Sequence, residues 1–448
     1  MVFVQVGKGI KIKGLSEELK DRVRSVLSIT NPQYKKMVRM GKSIHNVPAE
    51  FRYFAEEEDE LTIPRGVEQR LFNFFSRCGI QPQIDRQTVS IPRALYLIPC
   101  KTLREPQRLA VEAAQKATVG ILRIGTGAGK TLIACEIAAT THATTLILVP
   151  TTAILRQFES EFKTFYGVQV SVIGDGQKDV GEITIATFQS LQADPMLLQT
   201  LQENTSLLIV DECQSAVSDK RVNMIWGFKA EYIYGLSATP DRSRDDGRGE
   251  AVGFFFGPVL YSYENVSMKP RVEVIRTGAD IPVDDYAKMA DMLAAHVNRN
   301  MLIAGLALGE CMIRRKVLIL TKRVKHAELL FEKLKHFAGI YHVASDDPDK
   351  SAILAGCRSG IIDFNILIGT TGLLGVGVDV PSLDTLIIAC DLKSEILTSQ
   401  SAGRILRLFE GKEMPKIIDL WDNKNSILTR QFYNRKSVYE SKGWEIIL

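Results

Sequence analysis

The sequence predicts an α/β protein: two doubly wound, mostly parallel sheets in tandem, preceded by a small α+β domain. Three observations carry this. From Leu103 onward, short apolar runs alternate with stretches of helical spacing: TTLILVP (144–150), ITIATFQS (183–190), LLIVDE (207–212) and YIYGLSATP (232–240). Unbroken apolar runs suit strands buried on both faces, and intervening helices suit parallel crossovers. The pattern loosens over 264–290, read as the inter-domain connection. It then resumes with KVLILT (316–321), ILIGTT (366–371), DTLIIA (384–389) and KIIDLW (416–421). Residues 1–98 read differently, with strand-like alternation and short amphipathic helices. The expected domains are therefore 1–98, 99–268 and 269–448.

Taken in order, MVFVQVG and GIKIKG alternate like two strands joined at a glycine turn. Ser16 stands where a helix from about Glu17 to Leu27 would begin. NPQYKKMVRMGKS crowds Lys35, Lys36 and Arg39 beside Tyr34. Acidic AEEEDE precedes a strand-like ELTIPRG, and VEQRLFNFFSRCGI has the spacing of an amphipathic helix. Residues 1–98 hold 16 Lys and Arg against 11 Asp and Glu, whereas the rest of the chain holds 40 against 41. So basic a front end suits a polyanion, through phosphate contacts to a DNA duplex or junction. It also suits a solvated face on a domain that merely caps its neighbour.

LREPQRLAVEAA places Gln107 on a helix ahead of the next strand. There, TVGILRIGTGAGKTLIACE runs from an apolar strand through Gly125, Thr126, Gly127, Ala128 and Gly129 to Lys130 and Thr131. A helix follows. Glycines let backbone N–H groups close on phosphate oxygens, and the helix N-terminus adds positive charge. Lys130 would reach the β and γ phosphates, and the Thr131 hydroxyl would ligate Mg²⁺. The glycine expected five residues before Gly129 is Ile124, so the match is to a looser form of the phosphate loop.

LLIVDE delivers Asp211 and Glu212 at a strand end, where parallel sheets bind ligands. Asp211 suits Mg²⁺, and Glu212 suits a base for the attacking water. Ser237-Ala238-Thr239 follows the next strand. The second block has no phosphate loop but holds GLLGVGVDVP (372–381) and QSAGRILR (400–407). Arg404 and Arg407 share one helical face. They read as an arginine finger for the first block's nucleotide or as a surface pair.

Composition bounds the class. Of 448 residues, 45% are hydrophobic and 24% charged, as in a globular protein, and the net charge is +4. No apolar run reaches the ~18 residues that span a bilayer, and the N-terminus lacks a signal-peptide core. A cytoplasmic protein without membrane partners is expected. The 7 cysteines are scattered without Cys-x-x-Cys, and the 6 histidines lack metal spacing.

Together these motifs resemble superfamily 2 helicases over about residues 100–422. The matching motifs are GTGAGKT, VPTTAILRQF, ATFQSL, DECQ, SAT, TTGLLGVGVDVP and QSAGRILR, in that order. TPDRSRDDGR followed by FFGPV is similar to the subgroup holding XPB, ComFA and UvsW, and a front domain of this size resembles its phage branch-migration members. The resemblance implies two RecA-like domains, ATP and Mg²⁺ as cofactors, and a monomer working on DNA, branched or forked. Fork regression, branch migration and unwinding in recombination, repair or replication are the implied activities. An RNA helicase, or a DNA translocase subunit that separates no strands, carries the same motor motifs. The resemblance gives Lys130 and Thr131 phosphate and Mg²⁺, Asp211 Mg²⁺, and Glu212 catalysis. Gln400, Arg404 and Arg407 complete the reaction, and Gly377 and Asp379 couple nucleotide to DNA. Thr151, Arg156, Thr187, Gln189, Thr321, Lys322 and Thr370 would contact the DNA backbone. The chain departs from many relatives in ending its acidic motif with Cys213-Gln214, and Gln107 stands without a full adenine-reading motif.

Overall fold

The computed structural model covers the chain, and its residues are described here except 42, 46, 99–102, 126, 241–246, 265–268, 283–284, 344–348, 372–379 and 393–411. The chain divides into two compact units, Met1–Asn265 and Val266–Leu448.

The first unit opens with a sheet of β1 (Phe3–Val6), β2 (Ile10–Lys13), β5 (Ala55–Glu57), β6 (Glu60–Ile63) and β7 (Gln83–Arg86), in the order β5-β6-β2-β1-β7. Its pairs are antiparallel except β1 with β7. Strand alternation explains the IKIK segment: Ile10 and Ile12 are fully buried and Lys11 and Lys13 face water. Helices α1 (Glu17–Val26) and α3 (Glu68–Arg77) accompany this sheet. Ser16 occupies the first cap position of α1, but its side chain makes no capping hydrogen bond. A small hairpin, β3 (Ser28–Thr30) with β4 (Glu50–Arg52), flanks α2 (Pro32–Arg39). Asn31 caps α2 by accepting from the Gln33 amide.

The second sheet of this unit has eight strands: β8 (Val119–Ile124), β9 (Thr145–Val149), β10 (Ser171–Gly174), β11 (Gln177–Lys178), β12 (Ile183–Thr187), β13 (Leu207–Asp211), β14 (Tyr232–Ser237) and β15 (Val259–Tyr263). Their order is β11-β10-β12-β9-β13-β14-β8-β15. Every pair is parallel except the β10–β11 hairpin. All residues of β9, β12 and β13 are buried, as the apolar runs required. Helices α4 (Glu105–Gln115), α5 (Lys130–Thr141) and α6 (Thr152–Glu161) position the site.

The two sheets share a core. Tyr53 meets the rings of Phe254 and Phe255 edge-on, Trp226 does the same to Phe255, and Arg248 stacks 3.8 Å over Phe51. Buried Arg65 donates to the carbonyls of Gly7 and Ala230. A side chain at Gly66 would fall within 2.4 Å of the Gly257 amide nitrogen. Residues 1–98 are thus packed into the first motor domain along an apolar seam.

The second unit is one parallel sheet of β16 (Arg271–Arg276), β17 (Val317–Thr321), β18 (Ile340–His342), β19 (Ile366–Thr370), β20 (Thr385–Ile388), β21 (Lys416–Trp421) and β22 (Glu445–Ile447), ordered β18-β19-β17-β20-β21-β16-β22. The stretch read as connection contains β16, paired on both sides with β21 and β22. Its RVEVIR alternation is half-buried, lacking the unbroken apolar run of the other strands. Buried Arg299 pairs with Asp422, and buried Arg435 with Asp419. These charges are answered in place, as burial demands. No helix among the described residues is long and apolar enough to cross a membrane.

Candidate active site

The phosphate loop emerges from β8, which lies between β14 and the edge strand β15, and returns as α5. Gly127 and Gly129 take φ of +76° and +87°, a left-handed backbone that glycine adopts without strain. A side chain at Gly129 would also strike Gln107, whose Nε2 lies 2.2 Å from the added carbon. Gln107 Nε2 donates to the Ala128 carbonyl at 3.1 Å, and Arg104 Nη2 donates to the same oxygen at 3.0 Å. Gln107 thus braces the loop from outside, and Arg104, which sequence reasoning missed, helps it. The Gly125 amide donates to the Tyr263 carbonyl on β15. Thr126 lies outside the described residues.

Asp211 ends β13 and Glu212 follows it, two strands from β8. Lys130 Nζ meets Glu212 Oε1 at 2.5 Å. Burial would lower the Lys130 pKa, but the Glu212 and Asp211 carboxylates outweigh it and hold the ammonium above its ordinary value. Asp211 is the reverse case: burial pushes its carboxyl up to about 6, with Lys130 opposing and Glu212 adding to the rise. Asp211 Oδ1 is buried without a hydrogen-bond partner among the described residues. A buried carboxylate oxygen left so is costly, and a divalent cation is the group that would answer it. The Thr131 hydroxyl, on the first turn of α5, is the second oxygen suited to such a cation.

Glu212 sits at φ +49°, a left-handed conformation uncommon for a residue with a side chain and a form of strain that gathers at functional sites. Gln214 Nε2 donates to Glu212 Oε2 at 2.6 Å. The glutamine at the motif's end therefore steadies the candidate base, doing with an amide what a histidine would do with a ring. Cys213 is buried against Gly235, where an added carbon would come within 2.9 Å of its Sγ.

The candidate DNA contacts fall at strand and helix ends. Thr151 and Thr187 cap the helices after β9 and β12 through their hydroxyls. Thr187, Thr321 and Thr370 are buried, so a strand meeting them would meet backbone groups and not their hydroxyls. Gln189 is exposed. Arg156 is held by Asp175 and Glu159, and Lys322 by Asp391. Lys35, Lys36 and Arg39 are exposed on α2, which buries none of its residues. Gly377, Asp379, Gln400, Arg404 and Arg407 lie outside the described residues.

Residues 100–242 match the family described as "Type III restriction enzyme, res subunit". Among curated proteins, the chain is 30% identical over 370 residues to putative helicase 161L of Invertebrate iridescent virus 6, covering 75% of this chain and 79% of that protein. It is 25% identical over 337 residues to the ATP-dependent DNA helicase uvsW of Enterobacteria phage T4, covering 68% of this chain and 65% of that protein. Among solved structures, a fragment of a putative HsdR subunit of a type I restriction enzyme from Vibrio vulnificus YJ016 aligns with a TM-score of 0.55 at 22% identity. It covers 72% of this chain and 65% of that one, a likeness of fold alone. A loop shaped for phosphates, answered by strand-end carboxylates across a parallel sheet, is what nucleotide hydrolysis in such proteins requires, and the chain accordingly belongs to the superfamily 2 helicases as an ATP-hydrolysing enzyme.

Proposed function

We propose that the protein is a DNA helicase that translocates as a monomer and remodels branched or forked DNA, by fork regression, branch migration and unwinding, in recombination, repair or replication. The observation that carries this reading is the exposed basic helix α2 within the same compact unit as the nucleotide site. A basic surface within the same compact unit as the nucleotide site would move with it, so whatever it grips would shift with each ATP turnover. The named activity of the T4 relative supports DNA as substrate.

In this reading Lys130 holds the β and γ phosphates, and Thr131 and Asp211 hold Mg²⁺. When bound, the cation neutralises charge developing on the transferred phosphoryl group. Glu212, steadied by Gln214, orients and deprotonates the attacking water. Gln400, Arg404 and Arg407 stabilise the γ-phosphate, and Gly377 and Asp379 relay nucleotide state. Thr151, Arg156, Gln189 and Lys322, with backbone groups at Thr187, Thr321 and Thr370, meet the DNA backbone. Such grip is largely sequence-tolerant and weakens with salt.

The test is a strand-conversion gel on a fork, a Holliday junction, a single-tailed duplex and their RNA counterparts, with and without ATP. The expected result is ATP-dependent conversion of forked and four-way DNA. Replacing Lys35, Lys36 and Arg39 by Glu should reduce binding of branched DNA and shrink its salt slope by up to about 3. Conversion of RNA alone, or ATPase without strand separation on any substrate, would overturn the assignment in favour of an RNA helicase or a simple translocase. Unchanged branched-DNA binding by the triple variant would leave residues 1–98 as a cap.

A further inference from the structure

Gln157 stands next to Arg156 on α6, in neither the phosphate loop nor the carboxylate pair. Its Nε2 donates to Thr131 Oγ1 at 2.9 Å and to Glu161 Oε1 at 3.3 Å. Both amide hydrogens therefore have takers, one on the phosphate-loop helix and one on its own helix. A second bond ties the same two helices further along: the Tyr166 hydroxyl donates to Glu136 Oε2 at 2.6 Å. Tyr166 closes the Phe162–Tyr166 turn of π-helix that continues α6, an irregularity that often marks functional segments. The Tyr166 bond anchors helix to helix, whereas the Gln157 bond ends on a hydroxyl suited to a cation.

A threonine hydroxyl has one proton and two lone pairs and turns to suit its neighbours. A donor fixed on one lone pair removes that freedom. We infer that Gln157 is a positioning residue for ATP hydrolysis: its amide occupies one lone pair of Thr131 Oγ1, leaving the other for the divalent cation and the hydroxyl proton for a phosphate oxygen. This rests on the reading of Thr131 as a cation ligand. Because Thr151 caps α6 and Arg156 lies on it, the same helix that holds the hydroxyl is also flanked by one candidate DNA contact and carries another.

The test reads nucleotide affinity directly, using fluorescent ADP in excess Mg²⁺ and again in EDTA. The ratio of the two dissociation constants measures what the cation contributes. Gln157→Leu should reduce that ratio about two- to tenfold, the worth of one hydrogen bond, while leaving the EDTA value within about twofold. Gln157 is exposed, so its replacement opens no cavity, and Gln157→Met serves as a second variant. In a Thr131→Ala background, Gln157→Leu should cause no further loss, as a double-mutant cycle requires of two groups acting through one bond. Tyr166→Phe, which loosens the helices without touching Thr131, should leave the ratio alone. An unchanged ratio in both Gln157 variants would overturn the inference. So would an equal loss with and without Mg²⁺, a further loss in the Thr131→Ala background, or the same loss in Tyr166→Phe. An unchanged ratio in Thr131→Ala itself would instead remove the cation role of Thr131.

Discussion

Glu212→Gln tests the two tasks proposed for the Lys130–Glu212 pair. The side chains are 15% and 21% exposed and meet at 2.5 Å. At an effective dielectric constant of 20, their gross attraction is about 7 kcal/mol. Desolvating both ions offsets most of that, leaving a net contribution of about 1–2 kcal/mol for a partly buried charged hydrogen bond. Phosphate must compete with Glu212 for Lys130, so the free enzyme is held back from its ligand by this amount. The neutral amide removes the competitor and keeps the shape. ATP should therefore bind about 5- to 30-fold more tightly to Glu212→Gln. Hydrolysis should fall about 10²–10⁴-fold, because the water loses its proton acceptor. Fluorescent-nucleotide titration gives the first quantity and single-turnover hydrolysis the second. Binding that is unchanged or weaker, together with turnover near wild type, would refute the assignment of both residues.

Two further outcomes follow from burial. The Asp211 pKa is raised in the fold from 3.8 to about 6. The folded state therefore binds more protons than the unfolded state across that window, and this group's stabilising contribution is lost as pH rises through it. Asp211→Asn should raise the melting temperature of the nucleotide-free protein by about 3 °C at pH 7.5, with the gain shrinking towards pH 4; a gain that grows on acidification would reverse the sign. A side chain at Gly66 would press on backbone atoms of Phe254, Phe255 and Gly257 at 2.4–2.7 Å. Gly66→Ala should cost about 1–3 kcal/mol, read as a lower midpoint of thermal unfolding, and an unchanged midpoint would mean the seam is loose. Deleting residues 1–98 strips the cover from Phe254, Phe255 and Trp226, so charge substitutions on α2 probe that region without exposing the core.

The parallel strands were legible because a strand buried on both faces must be predominantly apolar, as TLILV, ITIAT and LLIVD are. The glycine loop and Asp211-Glu212 were legible as a candidate site because phosphate and a divalent cation admit few residue types, set next to one another in the chain. Strand β16 was missed because its half-buried RVEVIR resembles a linker when its partners, β21 and β22, lie 145 and 174 residues away. Gln157 and Gln214 lay within recognised motifs, but their partners were not legible, since a glutamine's role depends on which oxygen it reaches. Sequence alone determined the glycine loop between strand and helix, the strand-end carboxylates and the repeated sheet, all written in local pattern. Tertiary structure alone decided that residues 1–98 join the first motor domain through Tyr53, Arg65 and Gly66, that Asp211 keeps an oxygen unanswered among the described residues, and that Glu212 holds Lys130. Those depend on burial and on distances between residues far apart in the chain, which no local spacing encodes.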